Sequence, residues 1–218
     1  MIRSRLLLRS RALSIAAALS VCAGLAPAAA AQEDASPGRP RFTRGAMQIA
    51  LLGGYGYGFR FGSEEDRDKS AELGDVRIWQ AIPRFGISAT DPLFGDSWLR
   101  GNVEFLFEGA FLWNTEPRSG FAAGAGSTLR YNFLRWERVV PYLDANFGVV
   151  NLDFDLERQS DGFNLNVGFG TGAHWFVSDR TAISTEVRWQ HISNMNIETP
   201  NDGINDVLFL LGVSYFLP

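Results

Sequence analysis

The run Gln190-His191-Ile192-Ser193-Asn194 places a histidine and a serine two residues apart, ahead of the turn-rich stretch Pro200-Asn201-Asp202-Gly203-Ile204-Asn205. An imidazole that accepts a proton and a hydroxyl that gives one up are the base and nucleophile of acyl transfer. Side chains at i and i+2 of a β-strand point to the same face, so the two can cooperate if this segment is a strand. The face they share then decides which substrate they meet.

The elements that must hold them are strands. Eight segments alternate in polarity between turn signals, at roughly 46–61, 75–89, 98–114, 119–134, 140–153, 162–177, 180–194 and 204–217. Sustained 3.6-residue periodicity is absent, so few helices are expected. In Asn102-Val103-Glu104-Phe105-Leu106-Phe107-Glu108 the odd positions are apolar and two even ones are carboxylates. Tyr142 to Val149 and Ile183 to Gln190 divide in the same way. Alternation alone suits a soluble sandwich or lipocalin-like fold as well as a membrane barrel. Three features favour an all-β, eight-stranded antiparallel outer-membrane β-barrel: export, segments of about 12–16 residues against a usual ~5–6, and aromatics at segment ends. Those aromatics are Trp79, Trp98, Trp113, Trp136, Trp175 and Trp189, and the chain closes on the apolar run Val213-Ser214-Tyr215-Phe216-Leu217-Pro218. A barrel of this size is filled by its own side chains and is no useful pore. The inward set Glu104, Glu108, Arg130, Asp144, Glu186 and Arg188 is therefore expected as a satisfied polar network. The run Gly53-Gly54-Tyr55-Gly56-Tyr57-Gly58 has neither the following helix nor the Lys-Ser/Thr of a phosphate loop, and reads as close packing within a strand.

Export is read from the N-terminus. Arg3, Arg5, Arg9 and Arg11 precede an apolar stretch from Ala12 to Leu25, and Ala29-Ala30-Ala31 supplies small residues for cleavage before Gln32. The expected organisation is a signal peptide over 1–31, a flexible leader over 32–44 and one barrel domain over 45–218. The single cysteine, Cys22, leaves with the signal peptide, so the mature chain carries no thiol or disulfide. Losing four arginines leaves sixteen basic against twenty-four acidic residues, a net charge near −8. That balance argues against nucleic acid as a partner. Two histidines, His174 and His191, are too few to make a zinc site attractive.

Parity locates the chemistry. In the seventh segment Ile183, Thr185, Val187 and Trp189 would face lipid, and His191 and Ser193 continue that stripe. Asn205 shares the parity of Val207, Phe209, Leu211 and Val213 in the eighth. Polar groups facing hydrocarbon are costly unless they have a task. With the N-terminus in the periplasm, odd-numbered strands run outward, which sets these residues at the external leaflet. His174, beside Trp175, reads as an interfacial or structural histidine.

His191-Ile192-Ser193-Asn194, with Pro200-Asn201-Asp202-Gly203-Ile204 after it, resembles the active-site region of the lipid A 3-O-deacylase family, the PagL-like proteins related to acyloxyacyl hydrolases. The close match is confined to about 190–205; the strand count and signal peptide fit the family over the rest. The resemblance implies an outer-membrane serine esterase that removes an ester-linked acyl chain from lipid A of lipopolysaccharide, without metal or cofactor. It implies Ser193 as nucleophile, His191 as general base and Asn194 at the oxyanion. The family's acid follows the Gly-Ile pair, and here that position is Asn205. An Asn oxygen can accept the histidine Nδ1–H and set its tautomer, but it brings no full charge to the imidazolium. Asp202, Glu198 and Asp206 are the nearby carboxylates, with Asp206 of the wrong parity. Two other classes stay open: a non-enzymatic structural or adhesion barrel, and an outer-membrane phospholipase. A homodimer also stays open.

Overall fold

Polar and apolar side chains that alternate along long segments need two environments, and closing a sheet on itself supplies both. The computed structural model describes residues 41–60 and 71–218. They form β1 (Met47–Phe59), a single-turn α1 (Ala71–Gly74), β2 (Arg77–Ser88), β3 (Gly101–Glu116), β4 (Gly120–Phe133), β5 (Val139–Asp153), β6 (Gly162–Phe176), β7 (Thr181–Ser193) and β8 (Ile204–Phe216). Each strand pairs antiparallel with the next, and β8 pairs with β1 to close the barrel. The strand boundaries fall within about three residues of those read from the sequence. The expected signal peptide, and the leader as far as residue 40, lie outside the described residues.

One parity rule runs round the whole barrel: even-numbered side chains point inward and odd-numbered ones outward. The reason is the register, in which every cross-strand pair from β4 onward joins two odd or two even positions, as in Leu129↔Ala145 and Val187↔Phe209. Ile49, Leu51, Phe105, Phe107, Leu129, Phe147, Phe169, Phe209 and Leu211 are exposed on the outer wall, an apolar band suited to hydrocarbon. Exposed Trp79 and Trp113 lie toward one rim, and Trp98, Trp136 and Trp175 toward the other, as interfacial girdles require.

The lumen is layered. At its middle Arg84 pairs with Glu108 (2.7 Å) and Glu186 (2.8 Å), and Arg188 pairs with the same two carboxylates at 2.8 Å each. Arg130 binds Asp144 through two nitrogens at 2.8 and 2.7 Å and reaches Glu186 at 3.3 Å. Glu104 stands apart from these ion pairs and accepts from Gln48 and Asn132. The polar set expected from parity is therefore present, with Arg84 as a further member. Glu186 touches all three arginines, so Glu186→Ala is expected to cost roughly 3–5 kcal/mol through uncompensated buried charge. A lowered urea midpoint of the folded barrel in detergent would measure this.

Apolar clusters close both ends of the lumen. At the end distant from residues 41 and 218, Leu73 and Val76 pack with Ile78, Leu112, Leu152, Phe154, Ile192 and Ile204. Gly58 makes room for this cap, because a Cβ there would lie 2.6 Å from the Leu73 carbonyl oxygen. At the other end Phe42 packs with Val140, Ala182 and Phe216. Residues 41–44, read from sequence as flexible leader, thus include a stopper: Arg41 donates to the Asp179 carbonyl at 2.8 Å and lies over the Phe176 ring. The sequence signal for this was one aromatic residue in a polar stretch.

Candidate active site

The cap at the far end also pins the residues around the candidate site. Ile192 and Ile204 are cross-strand partners, both fully buried in that cluster. Anchoring these two inward turns their neighbours outward, so His191 and Asn205, paired in the same register, project from the outer wall. Their side chains meet, with His191 Nδ1 3.0 Å from Asn205 Oδ1. An amide oxygen has no hydrogen to give, so Nδ1–H is the donor, and in the neutral ring Nε2 then carries the lone pair. That is the tautomer a general base needs.

Two contacts hold the ring. Trp189, one position back on the same face, stacks near it, with centroids 6.5 Å apart and planes 23° from parallel. Gly203 closes off the Cε1 edge. It has φ +77°, and a Cβ there would lie 2.5 Å from His191 Cε1. Both the left-handed backbone and the close approach require glycine at this position.

Ser193 ends β7 two residues beyond His191 on the same face, about 6.6 Å along the strand at the usual rise. It is half-buried, and among the described residues its hydroxyl makes no hydrogen bond. The structure therefore brings His191 and Asn205 into contact and sets Ser193 beside them without a bond between hydroxyl and imidazole. Such bonds commonly tighten only when substrate binds.

Asn194 has a different placement from the one the resemblance suggests. It is buried, its backbone N–H donates to Asn201 Oδ1 at 2.9 Å, and its side-chain amide donates to the Glu198 carbonyl at 3.0 Å. The groups that could face an oxyanion are engaged inside the loop. The nearby carboxylates do not bond the imidazole either. Asp202 is held by Arg158 (2.6 Å), and Asp206 faces the lumen, where it accepts from Gln190 at 2.9 Å. Glu198 lies exposed, its backbone carbonyl serving Asn194. His174 belongs to the lumen, where it is buried between Ser184 (2.8 Å) and Arg130 (3.0 Å).

A second loop reaches the site. Gln159, between β5 and β6, forms an isolated antiparallel bridge with Asn201, between β7 and β8. Sequence inspection gives no hint of this, because Glu157-Arg158-Gln159-Ser160-Asp161-Gly162 reads only as a polar turn.

The family model for lipid A 3-O-deacylase (PagL) matches residues 84–214, from within β2 to within β8. No curated protein matches the chain. Among solved structures, Neisserial surface protein A is similar at 17% identity with a TM-score of 0.54, over 79% of this chain and 99% of that one. The outer membrane enzyme PagL is similar at 17% identity and a TM-score of 0.47, over 76% and 97% of the two chains. The N-terminal barrel of Pseudomonas aeruginosa OprF follows at 12% identity and 0.49, over 80% and 98%. The likeness to the neisserial protein supports the fold, and the family match covers well over half the sequence. The chain belongs to the lipid A 3-O-deacylase (PagL) family and is an eight-stranded barrel of the outer membrane.

Proposed function

We propose that this protein is a serine esterase that hydrolyses an acyl ester of lipid A, at the 3-O position by its family resemblance, from the outer face of the barrel wall. The observation that carries the reading is the 3.0 Å contact of His191 Nδ1 with Asn205 Oδ1, with Ser193 two residues along the same lipid-facing stripe. Ser193 Oγ attacks the ester carbonyl while His191 Nε2 takes its proton. The same nitrogen returns the proton to the departing sugar oxygen, leaving an acyl-serine. Water, deprotonated by His191, then releases the fatty acid and restores the hydroxyl. Asn205 holds the ring and its tautomer throughout. Asn194 can support the oxyanion only by exchanging one of its two loop hydrogen bonds for the substrate oxygen.

Placement supports the substrate class. With the chain termini in the periplasm, the β7–β8 rim meets the external leaflet, where lipopolysaccharide carries its acyl chains. A nucleophile on the outer wall reaches such chains without extracting the lipid from the membrane. Mass spectrometry of lipid A from cells expressing the wild type or Ser193→Ala tests the reading. One hydroxyacyl chain should be lost with the wild type alone. Identical lipid A from both strains would overturn it, and cleaved glycerophospholipid with intact lipid A would indicate a phospholipase.

A further inference from the structure

We infer that Gln159, in the loop between β5 and β6, is a positioning residue for the candidate site: it holds Gly203 against the His191 ring and fixes the orientation of the imidazole. The inference rests on the esterase reading for its catalytic consequence, though its structural part stands without it.

Gln159 is 1% exposed, and both polar atoms of its side chain are engaged. Its Nε2 donates to Asn164 Oδ1 at 2.8 Å and to Asn201 Oδ1 at 3.1 Å. Its Oε1 accepts from the Gly203 backbone N–H at 2.9 Å. One amide thus joins β6, through Asn164, to both ends of the segment 201–203. Backbone bonds frame it on either side: Ser160 N–H donates to the Pro200 carbonyl at 2.8 Å and Asp202 N–H to the Arg158 carbonyl at 3.0 Å. Arg158 and Asp202 close the frame from outside at 2.6 Å.

The buried amide matters most because the backbone bonds leave Gly203 itself unattached. Its N–H has Gln159 Oε1 as its partner, and its α-carbon abuts the imidazole edge at Cε1. Removing the acceptor frees a left-handed glycine to swing away from the ring, and the His191 side chain gains room to rotate. The hydrogen bond to Asn205 fixes only one atom of that ring, whereas Gly203 limits its tilt about that bond. Displacing a base by about 1 Å can lower a rate roughly 100-fold while leaving substrate binding intact.

Gln159→Met keeps the length of the side chain and removes all three hydrogen bonds. The chain has only two histidines, so selective 13C labelling of the rings in the folded barrel in detergent micelles reads His191 directly. His174, buried in the lumen, serves as the internal control. In Gln159→Met the His191 Cε1–H resonance should shift or broaden with the His174 signal unchanged. The kcat on lipid A should fall about 10- to 100-fold with KM within about twofold. An unmoved His191 resonance, or an unchanged kcat in an active enzyme, overturns the inference. A shift of both histidine signals overturns it too, because it indicates a general loss of packing. Should wild type and Ser193→Ala leave lipid A alike, the esterase reading fails, and the resonances alone decide whether Gln159 holds the ring.

Discussion

His191→Ala is expected to lower kcat on lipid A by about 10⁴-fold or more, with KM little changed. The size of the effect follows from the two tasks proposed for the imidazole, taking the Ser193 proton and returning it to the leaving oxygen. Neither task can pass to another side chain. The carboxylates nearby are turned elsewhere, Asp202 to Arg158 and Asp206 to Gln190 in the lumen. The only other histidine lies inside the barrel wall, bonded to Ser184 and close to Arg130. Turnover measured on purified lipopolysaccharide in mixed micelles, with the released fatty acid quantified, provides the check. A variant retaining more than a tenth of wild-type kcat would remove His191 from the mechanism. The barrel should be unaffected, since the ring sits on the outer wall and takes no part in the lumenal network.

Asn205 carries the second large effect, and its direction depends on the replacement. Asn205→Leu removes the acceptor for Nδ1–H. The ring can then adopt the tautomer that puts the proton on Nε2, where it is useless as a base, and kcat should fall about 100-fold. Asn205→Glu keeps an acceptor and adds a full negative charge. A charge-assisted bond to the developing imidazolium is roughly twice as strong as the neutral one, so kcat should rise about tenfold for each ~1.4 kcal/mol gained in the transition state. The same fatty-acid assay reads both variants. A gain with Glu identifies Asn205 as a weakened third member. An unchanged rate would mean that charge already arrives from elsewhere, an outcome the placement of Asp202 and Asp206 argues against.

The comparison of sequence with structure turns on distance along the chain. Parity is a two-residue property, so residues 183–193 alone sufficed to put His191 and Ser193 on one face and to oppose them to Glu186 and Arg188. The lumenal network was legible for the same reason, since each member announced itself as a charge at an even position. Arg84 is not legible in this way, because a lone charge beside Pro83 and Phe85 has no local meaning until Glu108 and Glu186 are opposite it. The loop hydrogen bonds of Asn194 are hidden from the sequence for a related reason. A motif gives neighbours in order, but the engagement of its amide with Glu198 depends on how the following loop folds back.

By itself, then, the sequence determined the strand count, the inward and outward faces and the candidate pair His191 and Ser193. All of these follow from local alternation and turn chemistry. Only the tertiary structure decided what surrounds the pair. It set Asn205 directly across from His191, placed Gly203 against the Cε1 edge of the ring, and brought Gln159 from a loop 44 residues away. Those contacts depend on the register of the closed sheet and on two loops meeting at one rim. Barrel closure sums every strand pairing at once, and no single segment of the chain records that sum.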